Sequence, residues 1–339
     1  MSEHSSIASS LSNKGRDLLK LDSPGVQLWR RRRHLLDTKD ITPDELSAVL
    51  EAATICKAMV DCGEGPQNVL GTKTVANLFY ENSTRTRSSF ELAAKRLGAT
   101  VINVDIASSS VAKGETIIDT GRTLTAMAVD ALVQRHHASG SALLVAREFG
   151  EEVHVINAGD GWNSHPTQAL LDYFTMWELR GHVKGLKIAI IGDITHSRVA
   201  RSNIWLLKRM GADIHVAGPP TLLPPELGKL GVTIHTRLEP AIENADFIMV
   251  LRLQLERQQQ GLIPSIGEYK RLYRLDHPRL KLANADCKVF HPGPMNRDIE
   301  IAHSLADDME RSLVRAQVAN GVAVRMAVLF LLLANRESR

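Results

Sequence analysis

The stretch 74–97, TVANLFYENSTRTRSSFELAAKRL, decides the fold. Residues 74–80 form a short, apolar, partly β-branched run that reads as a buried strand. The polar stretch ENSTRTRSSFE, 81–91, follows and leads into a helix over Leu92 to Leu97. A strand that passes through one turn into a helix is half of a βαβ unit. Further strand-like runs at 100–105, 131–136, 153–157, 187–193, 213–217, 247–251 and 287–291 alternate with helical patterns. This alternation predicts an α/β protein with parallel sheets covered by helices on both faces.

The flanks of these runs mark the domains. Thr42-Pro43-Asp44-Glu45 is a helix start, with Thr as cap, Pro at the first helical position and Glu45 closing a capping box. Residues 166–180 carry Leu170, Leu171, Phe174 and Trp177 on one face and read as a helix joining two sheets. The segment 317–334 is apolar enough to pack back on an earlier domain. The expected organisation is two doubly wound parallel-sheet domains joined by interdomain helices. They cover residues 35–165 and 166–316, with a polar extension at 1–34 and a returning helix within 317–339.

The chain has 339 residues, of which 44% are hydrophobic and 23% charged, a composition that folds into about two domains. Lys plus Arg exceed Asp plus Glu by 41 − 38 = 3, so no global field selects nucleic acid or a membrane, and any anion site must be local. Cys56, Cys62 and Cys287 lack metal-ligand spacing and read as reduced thiols of a cytoplasmic protein. The N-terminus has no apolar core of the secretory kind. The most apolar run, 326–334, has nine residues where a bilayer needs about 20. The extension is Ser-rich and ends in Trp29 and the run Arg30 to Arg33, a composition expected to bury little by itself. That run reads either as a solvated charged segment or as a contact for a nucleotide or an acidic partner.

In parallel α/β sheets ligands gather beyond the carboxyl ends of the strands. Ser83, Thr84, Arg85 and Thr86 stand there, where hydroxyls, guanidinium and helix N–H groups suit a phosphate dianion. The competing reading is an ordinary hydroxyl cap with surface arginines. Arg135 ends the next strand but one, and His165 and Gln168 follow the strand near 155, about one turn apart. His291-Pro292-Gly293-Pro294 is a rigid turn with carbonyls to offer. Arg198 and Arg252 each follow a strand, and a pair of arginines suits a substrate with two carboxylates. The turn at Gly192 is not Gly-x-Gly-x-x-Gly and no Walker sequence occurs, which disfavours a dinucleotide or nucleoside triphosphate. No cofactor or metal is expected, and catalysis would be electrostatic and positional.

Four stretches, FYENSTRTRSSFE (79–91), SVAKGETIIDT (110–120), GDGWNSHPTQALL (159–171) and HPGPMNRDIE (291–300), resemble the aspartate/ornithine carbamoyltransferase family. The likeness runs from about residue 35 to the C-terminus. His-Pro-Thr-Gln at 165–168 and His-Pro-Gly-Pro at 291–294 favour the aspartate branch, since the ornithine branch usually has Cys where Thr167 stands and His-Cys-Leu-Pro where His291 to Pro294 stand. The resemblance implies transfer of the carbamoyl group of carbamoyl phosphate to the α-amine of L-aspartate, in pyrimidine biosynthesis. It implies that Ser83, Thr84, Arg85 and Thr86 hold the phosphate, and that Thr86, Arg135 and His165 hold the carbonyl oxygen. Gln168 and the carbonyls of Gly293 and Pro294 would receive the carbamoyl NH2, while Arg198, Arg252 and Gln254 would bind the aspartate carboxylates. Lys113, beside Ser109 and Ser110, would reach into a neighbouring subunit's site, making a homotrimer with shared sites. The extension resembles that of members which assemble with dihydroorotase-like chains, so such a partner or a regulatory one is implied. Asp298 departs from the family's Gly. The alternatives are an ornithine-type enzyme and a catalytically silent scaffold subunit.

Overall fold

The computed structural model describes residues 12–104, 115–254 and 261–334. Their contacts divide the chain into two compact units, one running through Phe174 and resuming at Ala319, the other Thr175–Val318. The divisions fall inside two helices, Pro166–Arg180 (α7) and Val314–Leu333 (α13).

In the first unit the strands are Thr74–Phe79 (β1), Thr100–Val104 (β2), Ala131–His136 (β3) and His154–Asp160 (β4). They form one parallel sheet in the order β2-β1-β3-β4. The helices Thr84–Arg96 (α4), Ile117–Ala126 (α5) and Ser141–Phe149 (α6) are the crossovers. Apolar side chains such as Leu78, Leu132, Val145, Phe149 and Val155 bury against the sheet and form its core. The C-terminal helix α13 is buried along nearly its whole length from Ala323, so the returning helix is present. It is also long and apolar enough to cross a membrane by composition, but 78% of that window is buried inside the protein.

The N-terminal segment departs from the sequence expectation. Asn13–Leu19 (α1) and Pro24–Arg31 (α2) are helices, and Leu18, Val26 and Trp29 are buried. The Trp29 Nε1–H donates to the Glu45 carbonyl at 2.8 Å, on the capping-box helix Pro43–Asp61 (α3). Three guanidiniums of the arginine run are engaged within the chain. Arg30 pairs with Asp22, Arg32 with Glu45 and Asp40, and Arg33 donates to the carbonyls of Gly150 and Glu151. Few apolar residues suffice here because α3 supplies the other face. Residues 12–34 therefore pack with the first unit rather than standing outside it.

In the second unit Lys187–Ile191 (β5), Asp213–Ala217 (β6), Thr233–His235 (β7), Phe247–Val250 (β8) and Lys288–Phe290 (β9) form a parallel sheet ordered β7-β6-β5-β8-β9. The strand β7 was not expected. With three residues, at the sheet edge and exposed or half-buried, it carries no apolar run to detect. Arg198–Arg209 (α8) and Leu238–Ile242 (α9) cover the sheet, and Ile191, Leu238, Ile248, Val250 and Val289 belong to its core.

Candidate active site

The strand orders decide where ligands can sit. In the first sheet the chain runs from β1 outward to β2, then returns to place β3 on the other side of β1. In the second it runs β5, β6, β7 and returns to place β8 on the other side of β5. Each reversal splays the adjacent crossovers apart and opens a crevice beyond the carboxyl ends of the central strands. Ser83 to Thr86 and Arg135 stand at the first reversal and Arg198, Arg252 and Gln254 at the second, while His165 and Gln168 follow β4 and Gly293 and Pro294 follow β9.

At the first reversal, β1 leads into α4 through Glu81 to Ser83. Ser83 is the helix N-cap; its Oγ accepts from the Thr86 N–H at 3.4 Å and donates to Thr86 Oγ1 at 3.0 Å. This order brings the hydroxyls and the helix N–H groups to one spot. The first turn of α4 contains no acidic residue, so the positive end of its dipole is not neutralised from within. Arg85, in that turn, is exposed; the protein around its guanidinium lowers its pKa by desolvation, and it remains a cation at neutral pH.

Arg135, near the end of β3, is paired in register with Phe79, four residues before Ser83. Its Nη2 donates to Glu81 Oε1 at 3.0 Å and its Nη1 to the Ala158 carbonyl at 3.2 Å. The guanidinium thus bridges the ends of β1 and β4 across its own strand. The neighbouring His136 has its pKa lowered, by burial first and by His137 second. Its Nδ1 accepts from the Ala138 N–H at 2.9 Å, which marks it as a neutral, structural ring.

The third strand end supplies His165 and Gln168. Asp160 organises their approach: its Oδ1 accepts from the Ser164 N–H at 3.0 Å and its Oδ2 from the Gly140 N–H at 2.7 Å. Gly161 has φ +48°, and a Cβ there would lie 2.6 Å from the Ser139 backbone nitrogen, so this tight turn admits only glycine. The turn delivers the buried His165 to the start of α7. Gln168, also buried, donates from Nε2 to Asp172 Oδ1 at 3.0 Å.

At the second reversal, Ser197 caps α8 and Arg198, its first residue, is buried. Arg252 and Gln254 follow β8, which pairs with β5. The Gln254 Nε2–H donates to the His196 carbonyl at 3.2 Å, drawing the two strand ends together. The Asn296 Nδ2–H donates to the Leu253 carbonyl at 3.1 Å, which ties in the turn bearing Gly293 and Pro294. That turn is braced by His291. Its Nδ1 accepts from the Gly293 N–H at 2.9 Å and its Nε2 meets Glu300 Oε1 at 3.2 Å.

The predicted residues therefore form two groups, one in each unit: Ser83, Thr84, Arg85, Thr86, Arg135, His165 and Gln168 in the first, and Arg198, Arg252, Gln254, Gly293 and Pro294 in the second. Lys113, with Ser109 and Ser110, lies outside the described residues. Glu81, Asp160, Asp172 and Asn296 were not singled out from sequence. Only Asp172 carried a local signal, standing four residues after Gln168 on one helix face. Asp298 has φ +61°, the region its family's Gly would enter freely; its Oδ1 accepts from the His303 N–H at 2.9 Å. Among the described residues no cluster of three or more His, Cys, Asp or Glu could hold a metal ion.

Residues 33–178 match the family model described as aspartate/ornithine carbamoyltransferase, carbamoyl-P binding domain, and residues 184–332 match the Asp/Orn binding domain of the same family. The chain is 53% identical over 302 residues to the aspartate carbamoyltransferase catalytic subunit of Acetivibrio thermocellus, covering 89% of this chain and 96% of that one. It is 54% identical over 304 residues to the subunit of that name from Desulforudis audaxviator, covering 90% and 98%. Its structure is similar to aspartate transcarbamoylase from Trypanosoma cruzi in complex with carbamoyl phosphate and aspartate, with TM-score 0.82, 31% identity, and 92% and 100% of the two chains covered. It is also similar to ornithine carbamoyltransferase from Pyrococcus furiosus, with TM-score 0.79, 29% identity, and 90% and 98% covered.

Proposed function

The chain belongs to the aspartate/ornithine carbamoyltransferase family, and from that premise we propose that it carbamoylates the α-amine of L-aspartate with carbamoyl phosphate, a step of pyrimidine biosynthesis. The observation that carries this reading is the pairing of two unlike anion sites. A hydroxyl-capped helix N-terminus beside Arg85 and Arg135 suits a phosphate dianion, and two arginines after β5 and β8 suit two carboxylates. A cationic acceptor such as ornithine would meet Arg198 and Arg252 where it needs acidic groups. The retained polar residues likewise disfavour a silent scaffold.

In the reaction the neutral amine attacks the carbamoyl carbon, giving a tetrahedral intermediate whose oxygen bears negative charge. Thr86, Arg135 and His165 hold that oxygen, and Ser83, Thr84 and Arg85 hold the phosphate. The carbon–oxygen bond to phosphate then breaks, and the phosphate takes the proton released by the attacking nitrogen. Each preorganised donor at such an oxyanion is worth about 3 to 4 kcal/mol in the barrier. Holding two small substrates in line supplies much of the remainder. The Arg198, Arg252 and Gln254 side chains orient aspartate, and Gln168 with the Gly293 and Pro294 carbonyls receives the carbamoyl NH2.

We also infer a cytoplasmic homotrimer in which Lys113 completes a neighbour's site, with a dihydroorotase-like or regulatory chain as a further partner. The resemblance supports both statements. The deciding assay is formation of carbamoyl aspartate by the purified chain, with ornithine as control acceptor. Turnover with aspartate alone is expected, and turnover with ornithine alone would overturn the reading.

A further inference from the structure

Gln168 is an ambiguous group, because its amide has a donor end and an acceptor end of nearly the same shape. A ligand NH2 is recognised only if the carbonyl end faces it. What selects that end is the partner at Asp172, which is fully buried one helical turn further along α7. A carboxylate has only acceptors, so it takes the Gln168 NH2 and leaves Oε1 for a ligand. Arg325 on α13 is likewise buried and can only donate, and its charge and that of Asp172 attract. The Arg325 Nη1 donates to the Gly321 carbonyl at 3.1 Å, and its guanidinium lies 5.2 Å from the Phe90 ring of α4. Burial lowers the Arg325 pKa to about 10 and the Asp172 charge opposes that fall, so the arginine stays cationic at neutral pH. All five residues belong to the first unit.

We propose that Asp172 is a positioning residue that fixes the polarity of the Gln168 amide and thereby sets selectivity for a carbamoyl over an acetyl phosphate. The inference rests on the reading of Gln168 as the acceptor for the carbamoyl NH2. Acetyl phosphate is the discriminating probe, since a methyl group replaces that NH2 and leaves the phosphate and carbonyl unchanged. In Asp172→Asn the acceptor-only carboxylate becomes an amide, whose NH2 can face Gln168. The Gln168 amide then reverses and presents donors to a donor.

The experiment compares wild type, D172N and Q168A in two measurements: kcat/KM for carbamoyl phosphate, and the inhibition constant of acetyl phosphate against it. D172N is expected to lose more than tenfold in kcat/KM for carbamoyl phosphate while acetyl phosphate inhibition shifts by less than about threefold. Q168A is expected to show the same split. A Q168A variant that weakens both ligands equally refutes the reading of Gln168 itself. A split in Q168A without one in D172N, or an equal loss for both ligands in D172N, refutes only the role of Asp172. If D172N does not fold, Asp172→Glu keeps an acceptor-only head on a longer arm and is expected to retain the wild-type ratio between the two ligands. Loss of that ratio in D172E overturns the proposal.

Discussion

Arg135 and Glu81 allow catalysis and electrostatic repulsion to be separated at one position. On the proposed reading, Arg135→Ala removes a donor to the developing oxyanion and should lower kcat by about 100- to 1,000-fold. It also strips the 3.0 Å partner from Glu81 and leaves a carboxylate beside the phosphate site. At 4 Å and an effective dielectric of about 20, two unit charges interact by roughly 4 kcal/mol before screening. The Glu81 and Arg135 side chains are 23% and 12% exposed, so solvent removes much of that. About 1 to 2 kcal/mol of unfavourable interaction remains as a reasonable bound, equivalent to roughly a five- to thirtyfold rise in the KM for carbamoyl phosphate. Adding Glu81→Gln to Arg135→Ala should therefore recover most of the KM and none of the kcat. Steady-state kinetics on the four proteins of this cycle, with carbamoyl aspartate as the measured product, test the division. A double variant whose KM equals that of Arg135→Ala would refute the account of Glu81, and near-normal kcat in Arg135→Ala would remove that residue from the oxyanion.

Arg252→Ala should raise the KM for aspartate far more than that for carbamoyl phosphate; equal rises would take Arg252 out of the carboxylate site. Mixtures of Lys113→Ala and Arg85→Ala chains, each nearly inactive, should regain about a quarter of wild-type activity after random reassembly, because one site in four then joins an intact Arg85 to an intact Lys113. Mixed trimers without recovery would refute the shared site. Deleting residues 1–34 removes buried Leu18, Val26 and Trp29 and should lower stability by more than about 3 kcal/mol in denaturant unfolding, whereas an unchanged midpoint would show that α1 and α2 contribute nothing. Burial alone would raise the Glu45 carboxyl, but Arg32 and Thr42 outweigh it and hold the pKa below its ordinary value. Its contribution is present above about pH 4.5 and is lost as pH falls through the lower folded value, so Glu45→Gln should flatten the acid limb of the stability curve. An acid limb as steep as that of wild type would count against the Arg32–Glu45 pair.

What could be read from the residues alone is what depends on near neighbours. The capping box at Thr42 and Glu45, the passage from β1 through Ser83 into α4, and the helix beginning at Pro166 are each set by groups within a few positions of one another. The gathering of cap, hydroxyls and guanidinium at Ser83 to Thr86 was legible for the same reason, since they share one turn. Pairings across long loops were not legible. Nothing near Trp29 announces the Glu45 carbonyl that receives its N–H, and nothing in the arginine run names the carbonyls of Gly150 and Glu151. Residues 12–34 looked incapable of burial because the surface that buries them is contributed by α3. Above all, the alternation of strands and helices leaves the order of the strands open. That order, β2-β1-β3-β4 in one sheet and β7-β6-β5-β8-β9 in the other, sets the two reversals and thereby brings Arg135 to Glu81, two residues before the Ser83 cap, and Gln254 to His196, two residues before Arg198. Strand order is a competition among whole-sheet packings of similar local patterns, and only the packed tertiary structure resolves it.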